Sequence, residues 1–442
     1  MSANVKTASI GSEPARLGAP PLPLNGVAGA WSLFLGIAFI MVANGLQGTL
    51  LAVRASIEGF STPALGLMMS SYFVGMLCGG RLAPLYIERV GHIRVFAACA
   101  SVGSVSILVH GMHVEPISWA AMRFITGVCY AGLFIVAESW LNARATNESR
   151  GGLLSLYMMV VFGGAAGGQL LLNAASPSGL GLFILTSMLI SLALVPLLLS
   201  LNPAPAFDAG TRVSISKLYQ RSPLGVVSTL GAGLSHGAIF GMGAVFAVST
   251  GMDTSEVAWF MAAHLGGAII SQWPIGRLSD RVDRRWVLAG VSLLAALAAA
   301  SGAPFIEIEA VMYIMGFALG TMALPLYSLA IAYTNDRLLP EETVRAAGTL
   351  VVVAGVGLSL GPVTAAMLMT YLGPEGFLYY LVFVHLGIVV FALFRMTQRA
   401  SHPVDEQSAF VMAAPRGSPV AVALVAEEGM EARDEEDSTE GA

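Results

Sequence analysis

Apolar residues in this chain come in unbroken runs of about twenty, parted by short polar breaks. A run that long crosses a hydrocarbon core about 30 Å thick when helical. Twelve such spans are expected, near 30–53, 63–86, 93–112, 117–141, 151–173 and 179–201, then 223–249, 255–278, 286–303, 307–331, 346–371 and 376–396. The runs are continuous rather than alternating, which sets aside a transmembrane barrel. The pattern predicts an all-α integral membrane protein. Composition agrees: 56% of the 442 residues are hydrophobic and only 11% charged, against about 25% charged in soluble domains.

The pattern repeats. Asn44-Gly45 matches His236-Gly237 at an offset of 192, Asn142 matches Asn335 at 193, Gly163-x-x-x-Gly167-Gly168 matches Gly357-x-x-x-Gly361-Pro362 at 194, and Gly80 matches Gly276 at 196. Offsets this constant mean that six spans recur in the same order, a parallel repeat about an axis along the membrane normal. The segments expected are a cytoplasmic N-terminal stretch (1–28), a six-helix bundle (29–201), a cytoplasmic linker (202–222), a second bundle (223–396) and a disordered acidic tail (397–442). The linker is marked by Pro, Gly, Ser and basic residues, the tail by Glu427-Glu428 and Asp434-Glu435-Glu436-Asp437 with almost no aromatics.

Charge sets the expected orientation. With both ends in the cytoplasm, every Lys and Arg except Arg54 and Arg123 falls inside, whereas Glu58, Glu115, Asp253, Glu256, Glu307, Glu309 and Glu375 line the outer loops. The first 28 residues lack an apolar core segment and cleavage site, so the first span is read as an uncleaved insertion signal. The location expected is the inner membrane. Trp31, Trp119 and Trp259 fall near span ends and read as interfacial anchors.

Gly276-Arg277-Leu278-Ser279-Asp280-Arg281-Val282-Asp283-Arg284-Arg285 resembles the G-x-L-x-D-R-x-G-R-R signature between spans 8 and 9 of the major facilitator superfamily, departing where Asp283 replaces Gly. The copy between spans 2 and 3 has Pro84 where the Asp is expected, with the acid reappearing at Glu88. Gly91-His92-Ile93-Arg94, Arg123-Phe124-x-x-Gly127, Glu138-Ser139-Trp140-Leu141-Asn142 and Tyr333-Thr334-Asn335-Asp336-Arg337 are similar to the YcaD-like bacterial branch. The resemblance implies two pseudo-twofold six-helix bundles moving a small molecule by alternating access. It also implies a conformational latch built from Asp280, Arg281, Arg284, Arg285, Glu88, Arg89 and Arg94, with Asp280 meeting the start of a helix in the opposite half. Asn142, Asn335 and Asp336 are expected as an inner gate.

In that fold spans 1, 4, 7 and 10 line the cavity. An ionisable group at midspan costs about 2.5–3.5 kcal/mol on insertion scales and so suggests a pathway or a partner. The pathway candidates are Asn44, Gln47, Arg123, Tyr130, Glu138, His236 and Tyr327. Each has a structural alternative. Arg123 would snorkel outward, Glu138 would brace Arg144 or Arg150, and His236 would hydrogen-bond a neighbouring helix. The others would serve as interhelical hydrogen bonds.

No ligand-spaced cluster suggests a metal. Cys78, Cys99 and Cys129 all lie in spans, where neither a disulfide nor a metal is implied. No Gly-x-x-x-x-Gly-Lys-Ser/Thr supports ATP hydrolysis, and no nucleophile sits beside a base, so an enzyme is not expected. No cofactor or nucleic acid is expected; the partners are a small-molecule substrate, protons and the bilayer, and the chain reads as a monomer. Export by proton antiport is the favoured direction because few charges line the spans. Uptake by proton symport is one alternative; a non-transporting sensor or scaffold on the same fold is another.

Overall fold

A computed structural model describes residues 31–146, 149–199 and 213–440. The expected stretch 1–28 and most of the linker lie outside the described residues. The elements are α1 (Trp31–Ile57), α2 (Thr62–Val90), α3 (His92–Met112), α4 (Pro116–Asn142), α5 (Arg150–Leu170) and α6 (Gly181–Leu192, continued by Leu194–Leu198). A short linker helix, Ile215–Arg221, precedes α7 (Pro223–Ser249), α8 (Thr254–Ser279), α9 (Arg284–Gly302), α10 (Glu309–Ala323 and Pro325–Asn335), α11 (Pro340–Leu372) and α12 (Glu375–Gln398). Eleven helices among the described residues are long and apolar enough to cross a membrane. The remaining expected crossing, α8, spans 26 residues but carries Glu256, His264, Gln272 and Arg277, which dilute its apolar character.

Local chemistry sets several starts. Pro116 opens α4 after Glu115, whose carboxylate accepts from the Ile117 and Ser118 amides. Asp253 and Glu256 form a capping box at α8. Trp119 departs from its expected role. It is buried against Phe60, His110 and Phe183 and donates its indole N–H to the His113 carbonyl; Trp31 and Trp259 are exposed.

Helix pairing maps onto itself when the chain is advanced by one half. The pairs α2–α4, α1–α5 and α3–α6 have counterparts in α8–α10, α7–α11 and α9–α12, and across the divide α2–α11 answers α5–α8. The register is carried by glycines. A methyl group added at Gly127 would sit 2.0 Å from the Tyr72 carbonyl oxygen; at Gly320, 193 residues on, it would sit 1.8 Å from that of His264. Gly45 meets the Ala165 carbonyl as Gly237 meets that of Leu358. Backbones approach this closely only where no Cβ intervenes.

This packing corrects two of the sequence landmarks. Gly164 and Gly168 are the glycines of α5 that face α1, while a methyl added at Gly163 or Gly167 would meet nothing within 4 Å. The partners of Gly357 and Gly361, which pack on α7, are therefore Gly164 and Gly168, at 193. The Gly80–Gly276 match is one helical turn out of step, since α2 and α8 start at residues 62 and 254 and α3 and α9 at 92 and 284, both 192 apart. In that register Glu88 is the direct counterpart of Asp280, and Gly91 of Asp283. Gly91 has φ +88, which favours glycine. Asp283 turns with φ −54 instead and caps α9 by accepting from the Arg285 amide. That explains how the signature tolerates its departure from Gly.

The tail departs furthest from expectation. Val404–Glu406 is a 3-10 turn and Pro419–Glu440 a helix, α13, packed against α11 and α4. Between them Ala413, Ala414 and Ser418 are buried, as are Val422, Leu424 and Val425 beyond. The segment from 408 to 426 has the apolar residues to fill a cleft; only the sequence after it is strongly acidic.

We expect Gly320→Ala to lower the melting temperature of the purified protein in detergent, because overpacking of a tight contact costs about 1–3 kcal/mol. Gly163→Ala should leave it unchanged, since a methyl there meets no neighbour. Equal melting of the two variants would refute the role given to Gly320.

Candidate functional site

The two bundles enclose a central cleft. At one end Gly66 lies against the Pro362 carbonyl and Ala366, bringing α2 onto α11. The opposite end bears the α2–α3 and α8–α9 turns, the last turn of α10 and the start of α5. The chain beyond α12 enters the cleft from that basic end. Residues 408–418 run inward, and α13 then packs near the mouth.

At the mouth, Arg284 is fully buried and is held by three elements. It donates to both carboxylate oxygens of Asp336 at 2.7–2.8 Å, to Asp280 at 2.9 Å, and to the Ser408 carbonyl at 2.7 Å. Asp336 also accepts from the Ser408 amide and hydroxyl, and Asp280 from the Phe410 amide. Burial raises the Asp280 pKa, with Arg284 and the Phe410 amide pulling the other way. Asp283 shows the reverse balance: burial opposes its ionisation, but hydrogen bonds from the Arg285 guanidinium and amide outweigh it and lower the pKa.

The expected latch is therefore corrected in part. Asp280, Arg284 and Asp336 form one cluster inside the second half, bound by the tail rather than by the opposite bundle. Across the mouth, Arg150 at the start of α5 pairs with Glu427 and Glu431 of α13. Glu88, Arg89 and Arg94 are exposed, with Arg94 donating to the Val90 carbonyl. Arg281 follows α8 in an exposed turn. Of the expected gate, Asn142 is exposed at the end of α4 and Asn335 half-buried at the end of α10, beside Asp336 of the cluster.

Deeper in, Arg123 is buried. Its guanidinium lies 4.2 Å from the Tyr72 ring centroid and its Nη2 3.9 Å from the Met69 sulfur. It does not snorkel. Glu138 is fully buried at the other end of α4; its carboxylate accepts from the Tyr157 hydroxyl and from the Ser418 amide at 2.9 Å. The brace to Arg150 is overturned, because Arg150 is taken by the tail helix. Glu138 has no ion-pair partner among the described residues. Asn44 donates to the Tyr72 hydroxyl at 2.8 Å and accepts from Arg416 at 2.7 Å. Tyr130 packs edge-on to Tyr72, and Tyr327 lines the cavity beside Phe73, Phe134 and Arg416. Gln47 is buried, and its amide has no partner among the described residues.

His236 takes its structural alternative. Its Nε2 hydrogen-bonds the Ala323 carbonyl at 2.9 Å, beside the break where Leu324-Pro325 interrupts α10. Pro325 offers no amide to the ladder, and the imidazole ties the break to α7.

Several residues escaped the sequence reading: Tyr72 and Phe73 on α2, Tyr157 on α5, Phe240 on α7, and the tail's Arg416 and Ser418. Helix α2 was not counted among the cavity helices, and the tail was read by its acidic end alone. The signal for Arg416 was present: a lone arginine within the apolar stretch 409–426.

Solved structures share this architecture. The nucleoside transporter NupG, as its D323A mutant, superposes with a TM-score of 0.70 at 13% identity, covering 84% of this chain and 99% of that one. A bacterial homolog of the human lysosomal transporter Spinster gives 0.65 at 17%, covering 85% and 97%. At those identities the likeness establishes the fold. Residues 224–426 match the Major Facilitator Superfamily model. The uncharacterized MFS-type transporter YcaD of Escherichia coli O7:K1 is 31% identical over 343 residues, 76% of this chain and 88% of the relative. YcaD of Escherichia fergusonii is 28% identical over 374 residues, 84% and 97%. The chain belongs to the major facilitator superfamily, in its YcaD-like branch. That family is one of transporters, and membership implies a small-molecule substrate.

Asp336→Ala should destabilise the protein by about 3–5 kcal/mol, because it strands a buried guanidinium. Asp280→Ala removes a partly exposed partner and should cost less. Thermal melts in detergent compare them; a larger loss for Asp280→Ala would contradict the ranking.

Proposed function

We propose that this transporter moves a small organic solute by alternating access across the cytoplasmic membrane, driven by protons, with the basic face and both termini in the cytoplasm. The observation that carries the reading is Glu138. A carboxylate buried without a counter-charge is costly as an anion, and a proton removes that charge while leaving a hydrogen-bonding group. Tyr157 and the cleft hold it on the path that opens and closes. An ionisable group on such a path that alternately binds and releases a proton couples proton flow to solute flow. Arg123, which stays charged, contributes a fixed positive field at the far end of the same helix, about 22 Å away at 1.5 Å per residue.

The solute is amphipathic. Phe73, Met76, Leu77, Phe134 and Val351 line one side of the cleft, and Met41, Phe162 and Leu265 another. Polar groups are fewer: Asn44, Tyr157, Tyr327 and Ser418 beside these faces, Arg81 and Arg416 as the cations, and Thr49, Tyr72, Arg123 and Gln169 at the far end. A lining of this kind favours export by antiport over uptake of a sugar or an anion.

Proteoliposomes given an imposed pH step test the reading. Solute flux should follow the step, and Glu138→Gln should retain binding but lose the pH dependence. An unchanged pH profile with intact expression would remove Glu138 from the proton path. Absence of flux for any solute across a broad panel would favour a sensor on the same fold.

A further inference from the structure

The tail is an internal occupant of the cleft, and the way it is held describes the site that holds it. The Arg416 guanidinium lies 4.1 Å from the Phe240 ring centroid, 5.5 Å from that of Phe73 and 5.9 Å from that of Tyr72. Asn44 Oδ1 accepts from it at 2.7 Å. Three ring faces and one amide oxygen, contributed by α1, α2 and α7, converge on one cation from both halves. The flanking backbone is fixed as well: the Ala413 amide donates to the Ser328 hydroxyl at 3.0 Å, and the Ser418 amide to Glu138.

We propose that this seat is a cation subsite of the transport cavity, that residues 408–418 fill it as a built-in competitor, and that planar, aromatic-stacking cations of the guanidinium or amidinium class displace them. The proposal rests on the cleft being the solute path. Its chemistry is specific. Among the described residues no carboxylate pairs with Arg416, and Arg123 approaches Tyr72 as well, so net negative charge is not what holds the cation. Ring faces and a carbonyl-type acceptor are. Such a seat suits a weakly hydrated, flat, delocalised cation. A compact ammonium keeps its water too firmly, and a neutral urea gains nothing from the ring quadrupoles.

The seat also explains why the tail competes with solute. Residues 414–417 partition the cleft, lining cavities on either side of the chain: one toward Tyr327 and Phe134, another toward Tyr157 and Phe162. A third, toward Arg123 and Gln169, is bounded by Arg416. A solute of any size requires that the strap leave.

Binding of phenylguanidinium to the full-length purified protein tests this without a gradient. Calorimetry should show weak binding to the wild-type chain and at least tenfold tighter binding to Arg416→Ala. Adding Phe240→Ala to that variant should lose about tenfold, and phenylurea and benzylammonium should bind far more weakly than phenylguanidinium. Equal affinity of wild type and Arg416→Ala, or urea binding as well as the guanidinium, would overturn the proposal. Should Arg416→Ala fail to fold, Ala414→Cys reports instead, followed at that peptide by mass so that Cys78, Cys99 and Cys129 do not interfere. Saturating phenylguanidinium should speed its maleimide labelling severalfold, and an unchanged rate would equally overturn the proposal. Failure of the flux assay with these binding results intact would sink transport alone.

Discussion

Everything in this fold depends on helices touching backbone to backbone. In a bilayer there is no hydrophobic drive between helices, because lipid tails are as apolar as leucine; close van der Waals contact must supply the attraction. Gly127 against Tyr72, Gly320 against His264, Gly168 against Val42 and Gly361 against Leu234 provide that contact in both halves. The same glycines set the register, and the register decides which side chains look into the cleft. Tyr72 stands beneath Arg123 because Gly127, one turn further along α4, lets α2 come close. The site is thus a consequence of where side chains are missing.

The charges follow a second rule. At the mouth, where water is near, Arg284 is satisfied by two carboxylates, the Ser279 hydroxyl and a tail carbonyl. Inside the bundle, toward the two ends of α4, Arg123 and Glu138 each have ring, hydroxyl or amide partners but no opposite charge among the described residues. A structural ion pair would be expected to find its partner; two charges left without one among the described residues, at opposite ends of one helix, support the proposed pathway. His236 shows the contrast. Once its imidazole is seen bonded to Ala323 at the α10 break, packing accounts for it.

The helices and their duplication were legible because membrane spans declare themselves by length and composition alone. The exact register was not. Glycine is so abundant here that Gly163 and Gly164 compete as matches to Gly357, and only the face turned toward α1 decides between them. Of the site, Asn44, Arg123 and Glu138 were visible as polar groups in apolar runs. Tyr72, Phe73 and Phe240 were not, since an aromatic in a membrane helix is unremarkable until its neighbours are known. The tail was misread for a physical reason: averaging over residues 397–442 lets the acids after Glu427 hide an apolar segment before them. Composition over a window reports the mean and loses the boundary.

That segment bears directly on how the transporter moves. In the alternating access proposed above, the mouth would close by bringing the start of α5 toward the ends of α8 and α10. In this structure that space is occupied. Phe410 sits against Gly276 with its amide on Asp280, Ser408 is clasped by Asp336 and Arg284, and α13 reaches Arg150 on the opposite half. The groups that would meet when the mouth closes are the ones the tail already engages: Asp280 on one side, Arg150 on the other. The tail therefore does more than fill the cleft. On the proposed reading it also satisfies the closing surfaces in their open arrangement, so its departure would free the solute seat and the closing contacts in one step.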